Sequence, residues 1–280
     1  MNYYYLLVAL PSTKDFQENA FLDIERIQAF ILEHLSEKDK QAFRYTLYRN
    51  DNKNLLSILK KKYNWLENPI ISFHSPAAFT YQELESGIEG FFTLPKYMQE
   101  FLSYEKEQYK GSETENHLIR LYFQEASEQE NPFLKSYFEF KRDIKNVLSA
   151  INRNIYHLTN SSSFLEGGLV YHLLKNSTGN DLRVLESYDF IEEMQSLIQN
   201  KQFIRIEKRV DEILLKFISS YPILEPFSSD AVFARFLQLS IQYRWLKWEE
   251  NLGLDHLNQS IEWILKSATM PNENIAEIFA

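Results

Sequence analysis

Apolar positions along most of this chain recur at three- and four-residue steps, which places them on one face of an α-helix. The clearest run follows Asn131-Pro132, a pair suited to the N-cap and first turn of a long helix. Behind it Leu134, Tyr137, Phe138, Ile144, Val147, Leu148, Ile151 and Ile155 keep the helical step. Start signals predict further helices at Ser36 with Asp39 (ahead of Phe43 and Leu47), Thr80 with Glu83, Thr93 before Pro95, and Ser112 with Glu115. Phe190 to Ile198, Phe203 to Ile218 and the strongly apolar Ser229 to Trp248 read as three more. Another is expected through Leu265, with a fraying tail from Pro271. Gly167-Gly168 and Asn176 to Asn180 read as loops, and Pro222 and Pro226 as interruptions. Tyr and Val give the first ten residues an extended preference. They find no strand partner of similar quality and are read as the start of a buried helix.

A polar pattern is laid over this periodicity twice. Asp51 to Lys62 and Asp143 to Asn154 match at Asp51/Asp143, Lys53/Lys145, Asn54/Asn146, Leu56/Leu148 and Ser57/Ser149. Leu55/Val147, Leu59/Ile151 and Lys61/Arg153 are conservative pairs, and the offset is 92 residues. An internal repeat of this spacing points to duplicated helical units. On a helix the Asp and Asn lie one turn apart and border the apolar stripe that begins at Leu55 or Val147. A polar group at such a boundary needs hydrogen-bond partners, since leaving it buried and unpaired costs ~1–3 kcal/mol. Each pair is therefore expected to bond neighbouring helices and set how its unit packs. The competing reading is that Asp51 caps a helix that begins there, because Asn50-Asp51-Asn52 also suits a turn. A third copy is sought in Ala231 to Lys247, which has helical character but no Asp-X-Lys-Asn.

Composition agrees with helices and narrows the chemistry. Seven Gly and eight Pro in 280 residues disfavour many tight turns, and 21 Phe with 17 Tyr suit thick helix–helix interfaces. The absence of Cys excludes disulfides, thiolate catalysis and Cys-based metal sites. A net charge of −9 disfavours nucleic acid as a partner. Lys60-Lys61-Lys62, a compact basic cluster, suits a helix C-terminus. The apolar opening has neither a basic lead nor a cleavage site, and no run reaches the ~18 apolar residues of a membrane span. A soluble, cytoplasmic protein is expected.

No local signature of catalysis is present. The histidines at 34, 74, 117, 157, 172 and 256 form no His-Glu-X-X-His, and His157 with His172 is only a remote metal pair. Phosphate loops, dinucleotide fingerprints and nucleophile elbows are missing. Acidic groups such as Glu83-Leu-Glu85 and Glu192-Glu193 read as solvated helix faces. Neither a catalytic residue, a cofactor nor a metal is expected. The residues singled out are those of the repeat: Asp51, Asn54, Leu55, Asp143, Asn146 and Val147.

The opening Tyr3-Tyr4-Tyr5-Leu6-Leu7-Val8-Ala9-Leu10-Pro11 resembles the start of a bacterial family of uncharacterised proteins associated with V-type ATPases. That family looks like a shortened relative of the C-type central-stalk protein of V-type ATPases, called d-type in eukaryotes. Asp51 to Lys62 and Asp143 to Arg153 fit the family's Asp-X-X-Asn-Leu helices, and Phe140-Lys141-Arg142 matches the customary aromatic-basic approach. Phe236 to Leu246 resembles the apolar helix of the last lobe and keeps Arg244, but Gln238 and Gln242 stand where acids are expected. The resemblance implies an all-α body of three similar lobes around a pseudo-threefold axis, here at about residues 1–92, 93–186 and 187–280. It also implies a non-catalytic rotor subunit, peripheral on the cytoplasmic face of the inner membrane. Such a protein sits between the central-shaft subunits and the membrane rotor-ring subunits and passes torque for ion transport. The alternatives are a helical scaffold or adaptor unrelated to the ATPase, and an enzyme with a helical pocket that carries no signature.

Overall fold

A computed structural model describes residues 2–12, 23–63, 73–103, 112–157, 164–176 and 188–248, and among these the protein is all-helical, with no strand. In chain order the helices are α1 Tyr4–Ala9, α2 Ile24–His34, α3 Glu37–Arg44, α4 Tyr48–Lys62, α5 Tyr81–Ile88 and α6 Lys96–Ser103. They continue with α7 Ser112–Ala126, α8 Pro132–Tyr156, α9 Gly168–Asn176, α10 Ile191–Gln199 and α11 Phe203–Ser220. The last, α12, spans residues 229–248. The chain divides into two compact units, Met1–Leu10 with Asp23–Gln238, and Pro11–Leu22 with Leu239–Ala280. Only 11–12 and 239–248 of the second are described.

The helix starts follow from local chemistry. Ser36 accepts from the Asp39 amide, and Asn131 accepts from the Leu134 amide with Pro132 behind it. Thr80 and Glu83 form a reciprocal capping box, each side chain meeting the other's backbone N–H. Asp23 caps α2 through the Glu25 amide. Helix α8 ends on His157, which takes the left-handed conformation at φ 52°. The three lysines at 60–62 fall in the last turn of α4, where positive charge meets the free carbonyls, and Lys62 pairs with Glu89 at 3.0 Å.

Helix α8 is the hub of the first unit. Its 25 residues extend for ~37 Å and pack against α7, α9, α10 and α11. Phe133, Leu134, Tyr137, Phe138, Ile144, Val147, Ala150 and Ile151 are buried along it; of the face its periodicity predicts, Leu148 and Ile155 are only half-buried. Aromatic rings fill the seams: Phe140 stacks on Phe217 at 4.3 Å, Tyr48 on Phe79 at 5.8 Å, and Phe43 meets Phe236 edge-on at 4.7 Å.

Four elements differ from the sequence reading. Residues 4–9 are helical, yet Tyr5 is 87% and Val8 66% exposed; Tyr3, Leu6 and Leu10 supply the buried side. Gly167 lies in a loop, but Gly168 opens α9. Asn176 closes that helix instead of starting a loop, because the helical turn continues through Lys175. Asp51 does not begin its helix, because α4 starts three residues earlier at Tyr48. The helix expected through Leu265, the fraying tail, His256 and residues 177–180 lie outside the described residues.

Candidate functional site

The duplicated asparagines hold non-helical backbone rather than a neighbouring helix. On α4, Asn54 Nδ2 donates to the His74 carbonyl at 3.0 Å, and the His74 amide donates back to Asn54 Oδ1 at 2.7 Å. On α8, Asn146 Nδ2 donates to the Leu165 carbonyl at 2.9 Å, and the Leu165 amide returns the bond to Oδ1 at 2.8 Å. Each carboxamide thus satisfies both backbone groups of one residue, 20 positions downstream in the first case and 19 in the second. Both asparagines are buried, at 1% and 0% exposure, so these backbone groups have little water to bond instead. Leu55 and Val147, one residue on, are wholly buried in the apolar stripe.

The acids one turn earlier behave differently. Asp51 is fully buried and accepts from the Ala78 amide at 3.0 Å and the Phe79 amide at 3.1 Å, which ties down the approach to α5. Burial pushes its carboxyl up to about 7, outweighing the downward pull of those two amides. Asp143 stands beside the start of α9, with Oδ1 about 3.2 Å from where a side chain on Gly168 would begin. That oxygen accepts no hydrogen bond among the described residues, and Arg142 Nε lies 3.9 Å away. Burial raises the Asp143 carboxyl to about 6 against the opposing pull of Arg142. Asp51 and Asn54 therefore converge on the segment ahead of α5, and Asp143 and Asn146 on the segment ahead of α9. The two sets serve separate segments and do not form one site.

Several polar residues inside the core escaped the sequence reading. Glu125 on α7 accepts from the Tyr45 hydroxyl and, at 2.8 Å, from the Tyr97 amide, while Tyr97 Oη donates to Asn52 Oδ1 at 2.8 Å. These bonds tie the residue that ends α3 to α4, α6 and α7. A second buried acid, Asp211 in α11, is 4% exposed. It precedes Leu215 by four residues as Asp51 precedes Leu55 and Asp143 precedes Val147, but Leu214 stands where the other helices have Asn. A signal for the clamped segments was present too: Ser72-Phe73-His74 and Ser163-Phe164-Leu165 share Ser-Phe before the held residue.

An all-helical body with paired backbone clamps defines a structural class rather than a reaction, and among the described residues no cluster of His, Asp or Glu could hold a metal ion. The chain belongs to the family described as Protein of unknown function (DUF2764), whose model matches residues 1–267. No curated protein and no solved structure matches it.

Replacing Asn54 or Asn146 by Leu strands one N–H and one C=O in the segment it holds. The expected loss is roughly 2–5 kcal/mol per substitution, or a fall of roughly 5–15 °C in Tm. Thermal unfolding of the two single variants checks this, and unchanged melting in both contradicts it. The acid supplies a pH dependence. Below 3.8 the Asp51 carboxyl is protonated in both folded and unfolded chains. Between that pH and about 7 the unfolded chain releases the proton while the folded chain keeps it, so stability is lost as pH rises through the window. The carboxyl carbon of Asp51 should titrate near 7 by NMR, and Asp51→Asn should flatten this part of the stability profile; titration in the ordinary carboxylate range contradicts it.

Proposed function

We propose that the protein is a non-catalytic central-stalk subunit of a bacterial V-type rotary ATPase. In this role it couples the central shaft to the membrane rotor ring during ion transport. The observation that carries the reading is the recurrence of one bidentate carboxamide clamp on two helices whose motifs stand 92 residues apart in sequence. Duplicated lobes like those of the C-type central-stalk proteins would give such a pattern. Taking the lobes at about 1–92, 93–186 and 187–280, α4 and α5 fall in the first and α8 and α9 in the second. On that division α12, at residues 229–248, and the buried Asp211 of α11 fall in the third.

The physical demands of the role suit the first unit. Torque passes through a body whose contacts do not yield, and close-packed interiors transmit strain. The α8 hub, the stacked rings and the two clamped segments supply that stiffness. No helix among the described residues is long and apolar enough to cross a membrane, so a place at the membrane would come through protein contacts on its cytoplasmic face.

Washed membranes from cells expressing a tagged chain test the role. The chain should co-purify with rotor-ring and shaft subunits and leave the membrane when the ATPase head is stripped. Recovery of an intact rotary complex that lacks the chain contradicts the proposal and favours an adaptor unrelated to the ATPase.

A further inference from the structure

A cleft beside Gly167 and Gly168 offers more hydrogen-bonding capacity than its own side chains use. It has a volume of about 740 Å³ and lies between α7, α8 and the start of α9. Arg142 and Ser127 line it while only 7% and 8% exposed, and Arg120 lines it half-buried. Arg142 Nε, Ser127 Oγ and Arg120 Nε have no hydrogen-bond partner among the described residues. Asp143 Oδ1, at 3.9 Å from Arg142 Nε, is beyond hydrogen-bond reach. Each such unpaired buried donor destabilises the fold, and more so when charged. Three at one cavity call for an acceptor supplied from outside.

The sign of the lining changes with depth. Glu128, Glu166 and Lys135 are exposed at the rim, where solvent screens them. The better-buried lining sets two guanidinium groups against the carboxylate of Glu139, and Asp143, outside the lining, stands 3.9 Å from Arg142 Nε without reaching hydrogen-bond distance. Helix α9 begins there, and the N–H groups of its first turn lack intrahelical acceptors and carry the positive end of the helix dipole. Gly167 at φ 94° and Gly168 at φ 77° make the turn and let the Arg142 guanidinium press against it; a side chain at 168 would collide with Nη2.

We propose that this cleft binds a phosphate-bearing small molecule whose phosphoryl oxygens are taken by Arg142, Arg120 and Ser127 at the N-terminus of α9. The volume exceeds what a bare phosphate fills and lies within the ~300–1,000 Å³ of small-ligand pockets, which leaves room for an organic body. The site is independent of the coupling role and stands or falls separately from it.

Titration of the full chain with inorganic phosphate and, separately, with ATP tests the proposal. Binding is followed by calorimetry and by the nitrogen shifts of the Gly168 amide and Arg142 Nε. Saturable binding that moves both signals is expected. Arg142→Gln should weaken it about tenfold. Arg120→Gln should do the same, and its half-exposed side chain makes it the safer substitution for folding; Ser127→Ala should weaken binding less. Tighter binding of ATP than of inorganic triphosphate, titrated alongside, identifies a nucleoside body as part of the ligand, and equal affinity identifies the phosphoryl groups alone. Absence of saturable binding of either probe to the folded chain overturns the proposal, as does wild-type affinity in both Arg120→Gln and Ser127→Ala.

Discussion

The first unit depends on satisfying backbone that belongs to no helix. The segments that lead into α5 and α9 run past buried helix faces, where an unpaired N–H or C=O has little water to turn to. Asn is well matched to the task. It offers one acceptor and two donors at the end of a short side chain, enough to close on both polar groups of a single residue. Because Asn54 and Asn146 point from helix positions one residue ahead of buried Leu55 and Val147, the core that seats the helix also aims the carboxamide. The residue that is held, His74 or Leu165, then determines how the chain enters α5 or α9.

From this constraint the rest of the unit follows. Once its partner segment is seated, α8 can use its length to organise α7, α9, α10 and α11. The acids refine the arrangement unequally. Asp51 takes two further amides ahead of α5, whereas Asp143 faces a glycine turn and a buried guanidinium. The matching motif position thus serves as a backbone anchor on α4 and stands beside the Gly168 turn and Arg142 on α8.

Helix starts were the most legible part of the fold, because Ser36, Thr80 and Asn131 act on amides three residues away. The repeat was legible for a similar reason, since the Asp, Asn and apolar positions share one helix face. What the carboxamides hold was not, because a backbone group carries no side-chain signature and the partner lies 19 or 20 positions away in sequence. Helix α9 escaped because Gly167-Gly168 reads as a break, while the structure uses Gly168 to open the helix. Helix α2 had its signal in Asp23 and in Ile24, Ile27 and Ile31, which bury one face. Asp211 was hidden among the charges of α11, where burial rather than residue type distinguishes it. The amphipathic split of α1 is set by what Tyr3, Leu6 and Leu10 pack against, which periodicity over six residues does not fix.

Amide hydrogen exchange at His74 and Leu165 tests the duplicated clamp most directly. Neither residue lies in a helix, so protection at these amides reports the carboxamide bond itself. Both should exchange slowly, with Asn54→Leu releasing His74 alone and Asn146→Leu releasing Leu165 alone. Exchange of either amide at the rate of open chain in the unaltered protein would contradict the clamp, and with it the equivalence of the two copies.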